Sequence, residues 1–259
     1  MSDEYRSHSR DFVASLDKGF QVLMCFERKH SKLTLSEVAR LTGYSPATAR
    51  RFLMTLHALD YLHTDGKHFW VAPRTLLLAR PYLVSRPAPQ LAQPILDSLA
   101  ERTRQSASLG ILLDNEVLII ARSTGRRTLS TGLAIGSRLP AYCSSLGRAL
   151  LSALPQEDVM NRLAETSFEQ WTPKTVQDAA SAAECIERCR SLGWSECNEE
   201  LEMGVRAIAV PIRNASGQAL AAVSLSVRAE RMSLQTFQET HLSAIQEAGN
   251  RLGSIISFD

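Results

Sequence analysis

No apolar run in this 259-residue chain approaches the roughly 18 residues needed to span a membrane, so no membrane partner is expected. Its N-terminus, MSDEYRSHSRDF, is polar and lacks the apolar core of a signal peptide. The five cysteines (Cys25, Cys143, Cys185, Cys189 and Cys197) are odd in number and follow no framework spacing, which argues against a secreted disulfide scaffold. A reducing cytoplasm is the expected location. Histidine is scarce, and His241 is the only one in the second half. Cys185 and Cys189 lie four apart without a histidine pair, and His63 and His68 lack a further ligand, so no metal site is expected. Cys143 has no histidine base nearby in sequence, Ser145-x-Gly147 is an incomplete nucleophile elbow, and GxGxxG does not occur. The sequence therefore predicts no cofactor and no enzyme.

What is present is ordinary globular usage, 44% apolar and 22% charged with a net charge of only +2, on a chain long enough to bury a core without disulfides. The charge is unevenly placed. Residues 1–86 hold 13 Lys and Arg against 8 Asp and Glu, and residues 87–259 hold 16 against 19. A basic module that meets a polyanion, followed by an acidic module with another task, is the reading this supports.

Residues 1–11 read as a frayed charged tail. Ser15 is the expected N-cap of a first helix running to about Glu27, with Leu16, Phe20, Leu23 and Phe26 near helical spacing. Thr34 and Glu37 have capping-box spacing ahead of a second helix over about 35–41, which Gly43 ends. Ser45-Pro46 starts a third, PATARRFLMTLHAL, whose apolar face is Phe52, Leu53, Leu56 and Leu59. Asp65-Gly66 between two β-rich runs predicts a hairpin. Pro73 opens an apolar helix, and Arg86-Pro87-Ala88-Pro89 marks a boundary. The second half alternates. A helix over about 91–104 leads to strands SLGILL and EVLIIARS around Asp114-Asn115, and to short strand candidates at 128–135 and 138–142. Helices follow at 144–154, from near Pro155, and at 176–192; then strands VRAIAVPI and LAAVSLSV; then a last helix over about 234–256. Such mixing indicates an α+β sheet domain.

Two helices, a tight turn and a hairpin in a basic module make a winged helix-turn-helix. The third helix presents its N-terminal amides to phosphates and its first turns to base edges. Thr34, Tyr44, Ser45, Thr48, Arg50 and Arg51, with Lys67 and His68 at the hairpin tip, are the candidate DNA-binding residues. The alternatives are a solvated arginine face, or a winged helix used as a protein contact.

At these residues the chain resembles the IclR family of transcriptional regulators. SLDKGFQVLMCF, LTLSEVARLTGYSPATARRFLMTLHALDYL and DGKHFWVAPRTLLLA resemble its N-terminal domain. GSRLPAYCSSLGRALLSALP and RSLGW…NEELEMGVRAIAVPIRNASGQALAAVSLSV resemble its ligand domain. PATARRFLMTL, RLPAYC…GRALLSALP and ELEMGVRAIAVP are similar to the branch that controls aromatic-acid catabolism. There are departures. Asp60 stands where the family usually has glycine, Arg80-Pro81 occupies a stretch where relatives often have glycine and small residues, so a kinked linker helix is expected, and Ala207 replaces a cysteine found in many members.

The resemblance implies an N-terminal all-α winged helix-turn-helix over 12–72, a linker helix over 73–87, and a C-terminal α+β GAF-like effector-binding domain over 88–259. It implies double-stranded DNA with a palindromic operator as partner, a homodimer or dimer of dimers, and a small carboxylate effector. Carried over by position, the effector residues are Ser145, Leu146, Cys197, Val205, Ala207, Ser224 and Ser226, with the pocket between the sheet and residues 122–148. Ser224 and Ser226 share one strand face opposite Val223, Leu225 and Val227; that face meets either solvent or a polar ligand. Arg122 leaves an apolar strand and forks onto either a carboxylate or a surface acid, and the helix start at Ser144–Leu146 offers amides to a carboxylate. Arg206 falls on the opposite face from Val205 and Ala207 and reads as structural. The expected function is a ligand-responsive regulator sensing a small aromatic carboxylate. The alternatives are a non-aromatic carboxylate, a small-molecule enzyme with a DNA-binding tether, or a constitutive DNA-binding protein whose second domain dimerises.

Overall fold

The computed structural model describes residues 11–26, 30–85, 87–125 and 132–256. The chain forms two compact units that divide between Val84 and Ser85. No helix among the described residues is long and apolar enough to cross a membrane. The expected tail lies outside the described residues, apart from Asp11.

The first unit opens with α1 (Ala14–Met24). The helix starts one residue before the expected cap: Val13 is the N-cap, without a side-chain bond, and its carbonyl accepts from Leu16 and Asp17. A two-residue strand, β1 (Leu33–Thr34), leads into α2 (Leu35–Thr42), where Thr34 and Glu37 form the full capping box. Gly43 ends α2 at φ 71°, a left-handed conformation in which glycine carries no Cβ penalty. α3 (Pro46–Ala58) begins at the Ser45 cap with proline in its first turn. Leu53 is buried, but Leu59 caps the helix and is exposed rather than on its inner face. Asp60 then sits at φ 61°, which explains why glycine suits that position and why Asp, more tolerant of this region than most residues, can stand there.

β2 (Leu62–Thr64) and β3 (His68–Val71) form the hairpin, and β1 adds to the far side of β3 in an antiparallel sheet of order β1-β3-β2. The strands close around residues 65–67 rather than a two-residue turn: Thr64 pairs with Phe69, and Asp65 accepts from the backbone amides of Lys67 and His68. Val22, Val38, Ala49, Leu53, Leu62 and Phe69 meet in one small core. After a 3-10 turn at Pro73–Thr75, α4 (Leu76–Ser85) passes through Pro81 with none of its residues buried.

The second unit starts with α5 (Pro87–Thr103); Pro87 and Pro89 lie in its first turn instead of a linker, a place where the missing N–H costs nothing, and Pro94 lies inside the helix. A six-stranded antiparallel sheet follows in order β6-β5-β4-β9-β8-β7. Its strands are β4 (Ser106–Leu113), β5 (Glu116–Ser123), β6 (Arg138–Pro140), β7 (Ser195–Asn198), β8 (Val205–Arg213) and β9 (Ala219–Arg228). The short strand β7 had no counterpart in the sequence reading. Of the strand expected at 128–135, residues 128–131 lie outside the described residues, and 132–135 are not in a strand. One sheet face packs on α5 and on α9 (Leu234–Ile255). The other packs on α6 (Ser145–Leu151), backed by α7 (Gln156–Ala164) and α8 (Ala179–Leu192). Gly110 is required on that second face: a Cβ there would come within 2.5 Å of Val117 Cγ1 and 3.2 Å of Leu146 Cδ1.

Candidate functional site

Two surfaces gather the residues singled out by sequence. On the first unit, α3 turns Ala49 and Leu53 inward and Ala47, Arg50, Arg51 and Met54 outward, the i, i+3, i+4, i+7 stripe of one helix face. Arg50 and Arg51 are exposed and form no ion pair among the described residues. The polar neighbours are committed instead. Tyr44 donates its hydroxyl to Gln21 Oε1 at 2.5 Å, and Lys18 lies 5.7 Å from its ring centre. Ser45 Oγ accepts from the Thr48 amide and donates to Thr48 Oγ1 at 2.9 Å. Thr34 spends its hydroxyl on Glu37. Ser45 and Thr48 shape the start of α3, Thr34 that of α2, and Tyr44 bonds to α1, while the two arginines face outward from α3.

At the hairpin tip Lys67 is exposed, while His68 is held by Asp65, whose carboxylate lies 3.3 Å from the ring. Backbone amides of His68 and Lys67 hold the Asp65 carboxyl down at about 2. Beside it, Lys32 Nζ sits 4.6 Å from the centre of the Trp70 ring, with His63 on the neighbouring strand. Ala47, Met54, Lys32 and Trp70 were missed. Helical spacing from Arg50 would have found the first two, whereas the last pair depends on the unpredicted strand β1.

On the second unit, strand register assembles a polar patch. Ser195, Ala209, Ser224, Ser108 and Arg122 pair successively across β7, β8, β9, β4 and β5. Two residues along, Cys197, Ala207, Ser226 and Ser106 form a parallel row on the same face. Val205 continues that face on β8. The start of α6 is fastened over it: Ser195 Oγ donates to Ser145 O at 2.5 Å, and Cys197 Sγ to Cys143 O at 3.2 Å. Leu146 projects from α6 toward Gly110. Arg122 Nη1 donates to Ser108 Oγ at 2.7 Å, and burial lowers its pKa.

The expected effector residues therefore do not play equal parts. Arg122, Leu146, Cys197, Val205, Ala207, Ser224 and Ser226 are brought together. Ser144 is the N-cap of the seven-residue α6, its hydroxyl accepting from the Gly147 amide at 3.2 Å, and Ser145 is buried with its carbonyl tied to Ser195. Burial pushes the Cys143 thiol up to about 12 and Cys197 up to about 11, which keeps both protonated at neutral pH. Arg206 binds Asn198 Oδ1 and the carbonyls of Ala229 and Met232, a structural clasp. Sequence reasoning missed Ser106, Ser108 and Arg148. Arg148 gives Nε to Tyr142 O and both Nη groups to Glu200 at 2.7 and 2.5 Å while only 3% exposed. Burial alone would lower its pKa, but the Glu200 hydrogen bonds and charge raise it. No group of three or more metal-ligating side chains occurs among the described residues.

Comparison with known proteins agrees with this architecture. Residues 15–66 match the family model of the IclR helix-turn-helix domain, and residues 81–253 that of the bacterial transcriptional regulator IclR C-terminal domain. The chain is 36% identical over 243 residues to the Pca regulon regulatory protein of Pseudomonas putida, covering 93% of this chain and 84% of that protein. It is 33% identical over 260 residues to the p-hydroxybenzoate hydroxylase transcriptional activator of Acinetobacter baylyi, covering 98% and 95%. A solved double mutant of the PobR inducer-binding domain from Acinetobacter, in complex with 3-hydroxybenzoic acid, is 31% identical with a TM-score of 0.61, covering 65% of this chain and 98% of that one.

Proposed function

The chain belongs to the IclR family of bacterial transcriptional regulators, and from that premise we propose that it controls a catabolic operon in response to a small aromatic carboxylate. The observation that carries the ligand half is the patch on the second sheet. Arg122, Ser108, Ser224, Ser106 and Ser226 occupy one face of an otherwise apolar sheet, bounded by Leu146, Val205, Ala207 and Cys197. A guanidinium beside apolar walls is the chemistry that takes a carboxylate on a ring. The relatives' names, one tied to p-hydroxybenzoate hydroxylase and one solved with 3-hydroxybenzoic acid, support the same class.

The DNA half rests on α3. Arg50 and Arg51 read bases or bind phosphates in the major groove, with Ala47 and Met54 available to thymine methyl groups and Lys67 reaching the flanking backbone. The apolar residues Leu16, Phe20 and Met24 on α1 and Leu76 and Leu77 on α4 are exposed, and a second copy of the chain covers them. An isologous dimer presents two α3 helices to a palindromic operator. Such a regulator works in the cytoplasm. Its effector must bind the DNA-competent and incompetent states with different affinity, since only that difference shifts their balance.

A thermal-shift panel of aromatic and aliphatic carboxylic acids on the full chain tests the reading. A ligand at 100 times its Kd adds roughly 2.7 kcal/mol, or about 5–11 °C for a unit of this size. A response to aromatic acids that Arg122→Met abolishes supports it. A response confined to aliphatic acids overturns the aromatic assignment, and no response to any acid overturns the carboxylate site.

A further inference from the structure

Four of the five cysteines lie in the second unit, and two of them share one opening. Cys185 and Cys189 stand four residues apart on α8, so both side chains leave the same helix face, with Leu192 continuing the stripe. These three, with Trp194 just before β7 and Glu196 within it, line a cleft of about 290 Å³ that opens to solvent. Cys189 is buried, Cys185 is half-buried, and neither is in a disulfide. None of the residues proposed to meet an effector lines this cleft.

Two sulfurs on one helix turn restrict what can join them. Cβ atoms at that spacing lie about 5–6 Å apart, whereas a disulfide needs about 3.5–4.5 Å. A direct S–S bond would have to distort α8, but a single atom held between the sulfurs would not. Zinc asks for four ligands in such a place. No group of three or more metal-ligating side chains occurs among the described residues, and Glu196 is already held by Arg188 at 3.3 Å and by Gln238. The partner is therefore soft, satisfied by two sulfurs, and carries an apolar group that suits Leu192 and the Trp194 ring.

We infer that Cys185 and Cys189 form a dithiol site that captures a trivalent organoarsenical, R–As(OH)2. Each thiol passes its proton to an arsenic-bound hydroxyl, which leaves as water. Two As–S bonds form, two As–O bonds break, and arsenic stays trivalent, so no oxidant or reductant takes part. Cys185, the more open of the two, bonds first. Burial pushes the Cys189 thiol up to about 11, which keeps it protonated and slow toward reagents that need a thiolate. An arsenic already tethered one turn away reaches it at high effective concentration, and the second bond closes the chelate.

Phenylarsine oxide, added in one equivalent to the reduced full chain, tests this. Intact mass spectrometry should show one phenylarsenic group in place of two thiol protons. The adduct should survive excess monothiol, be stripped by a dithiol, and block alkylation of Cys185 by iodoacetamide in the folded chain. In Cys185→Ser and in Cys189→Ser, retention against monothiol should fall about 100-fold or more, while Cys143→Ser keeps it. Thermal unfolding of each variant confirms that the unit still folds, and the alkylation arm needs no variant. Loss of the parent adduct to monothiol, undiminished retention in both serine variants, or alkylation of Cys185 at its unprotected rate overturns the site.

Discussion

Arg50 and Arg51 on α3 and Arg148 on α6 show two uses of one side chain. The first two are exposed and form no ion pair among the described residues. The third is 3% exposed and spends every nitrogen on the fold: Tyr142 O, Glu196 O and both oxygens of Glu200. A cation that is to recognise a polyanion must stay uncommitted until the partner arrives. A cation that builds a domain must be fully committed, since a buried charge is tolerable only when paired. Arg122 stands between these cases, half-buried and bonded to Ser108, yet on the face proposed to meet a ligand. Arg148 fastens the α6 start to the segment after β7, and Thr172 and Thr175 bind the backbone of that same segment at Glu200. It thereby holds the wall of the candidate effector site without lining it.

The largest expected effect breaks the committed arginine. Arg148→Met leaves the largely covered Glu200 without its cation and should destabilise the second unit by about 3 kcal/mol. Urea unfolding followed by the fluorescence of Trp171 and Trp194 reads it. The double variant Arg148→Met/Glu200→Met should recover most of that loss, because removing both charges removes the desolvation cost as well. A single variant as stable as the parent would show that Arg148 belongs with the exposed arginines.

The uncommitted arginines should behave in the opposite way. Arg50→Ala or Arg51→Ala should leave folding stability within about 0.5 kcal/mol. Affinity for a cognate promoter fragment should fall by about 1–3 kcal/mol where the side chain reads a guanine. Where it meets a phosphate instead, the loss is uniform over sequences and the slope of log K against log salt drops by about 0.9. Titrations of labelled DNA at several salt concentrations separate the two. Unchanged affinity in both variants would remove α3 as the reading helix.

This contrast also explains what was legible in the sequence. The first unit is written in local signals: the Thr34–Glu37 box, Gly43, Ser45-Pro46 and Asp65-Gly66 each act over a few residues, and each appears in the structure near its expected place. What escaped there was the Val13 start of α1, where Ser15 was expected to cap; β1, only two residues long; and the Leu59 end of α3, where helical periodicity says nothing about where the chain leaves the helix. The second unit is written in register. Alternation along β9 put Ser224 and Ser226 on one face, but no local pattern reveals that Ser106 and Ser108 lie opposite them, more than a hundred residues away in sequence. Arg148 and Glu200 are 52 residues apart, and neither carries a periodic signature that points to the other. Family resemblance located the apolar walls and two serines; long-range pairing supplied the rest of the polar row.

A smaller effect sharpens the difference between local strain and local fit. Asp60 occupies the left-handed region at φ 61°, where a Cβ is disfavoured, and its carboxylate meets Arg74 only at 3.9 Å on the exposed surface. Asp60→Gly should therefore stabilise the first unit, by about 0.5–1 kcal/mol once the greater freedom of glycine in the unfolded chain is set against the relieved strain. Thermal unfolding of the variant checks this. Destabilisation would mean that the weak Asp60–Arg74 contact outweighs the backbone term.

The smallest effect concerns the hairpin tip, where the charge is exposed but its hydrogen bonds are local. Asp65 accepts from the amides of Lys67 and His68, and these bonds hold its carboxyl at about 2, below its ordinary value of 3.8. A carboxyl whose folded pKa is depressed contributes stability that is complete above its unfolded pKa and is lost as pH falls through the folded value. The order of the 65–67 turn should thus be constant from neutral pH down to about 4, then decay as pH falls toward about 2. Trp70 lies on the adjoining strand, so its emission, isolated in a chain carrying Trp171→Phe and Trp194→Phe, follows the turn. Asp65→Asn should keep one acceptor oxygen and lose the pH dependence, leaving a Trp70 signal that is flat between pH 4 and 2. A transition that persists in Asp65→Asn would assign the acid sensitivity to another carboxylate and detach the hairpin's geometry from its charge.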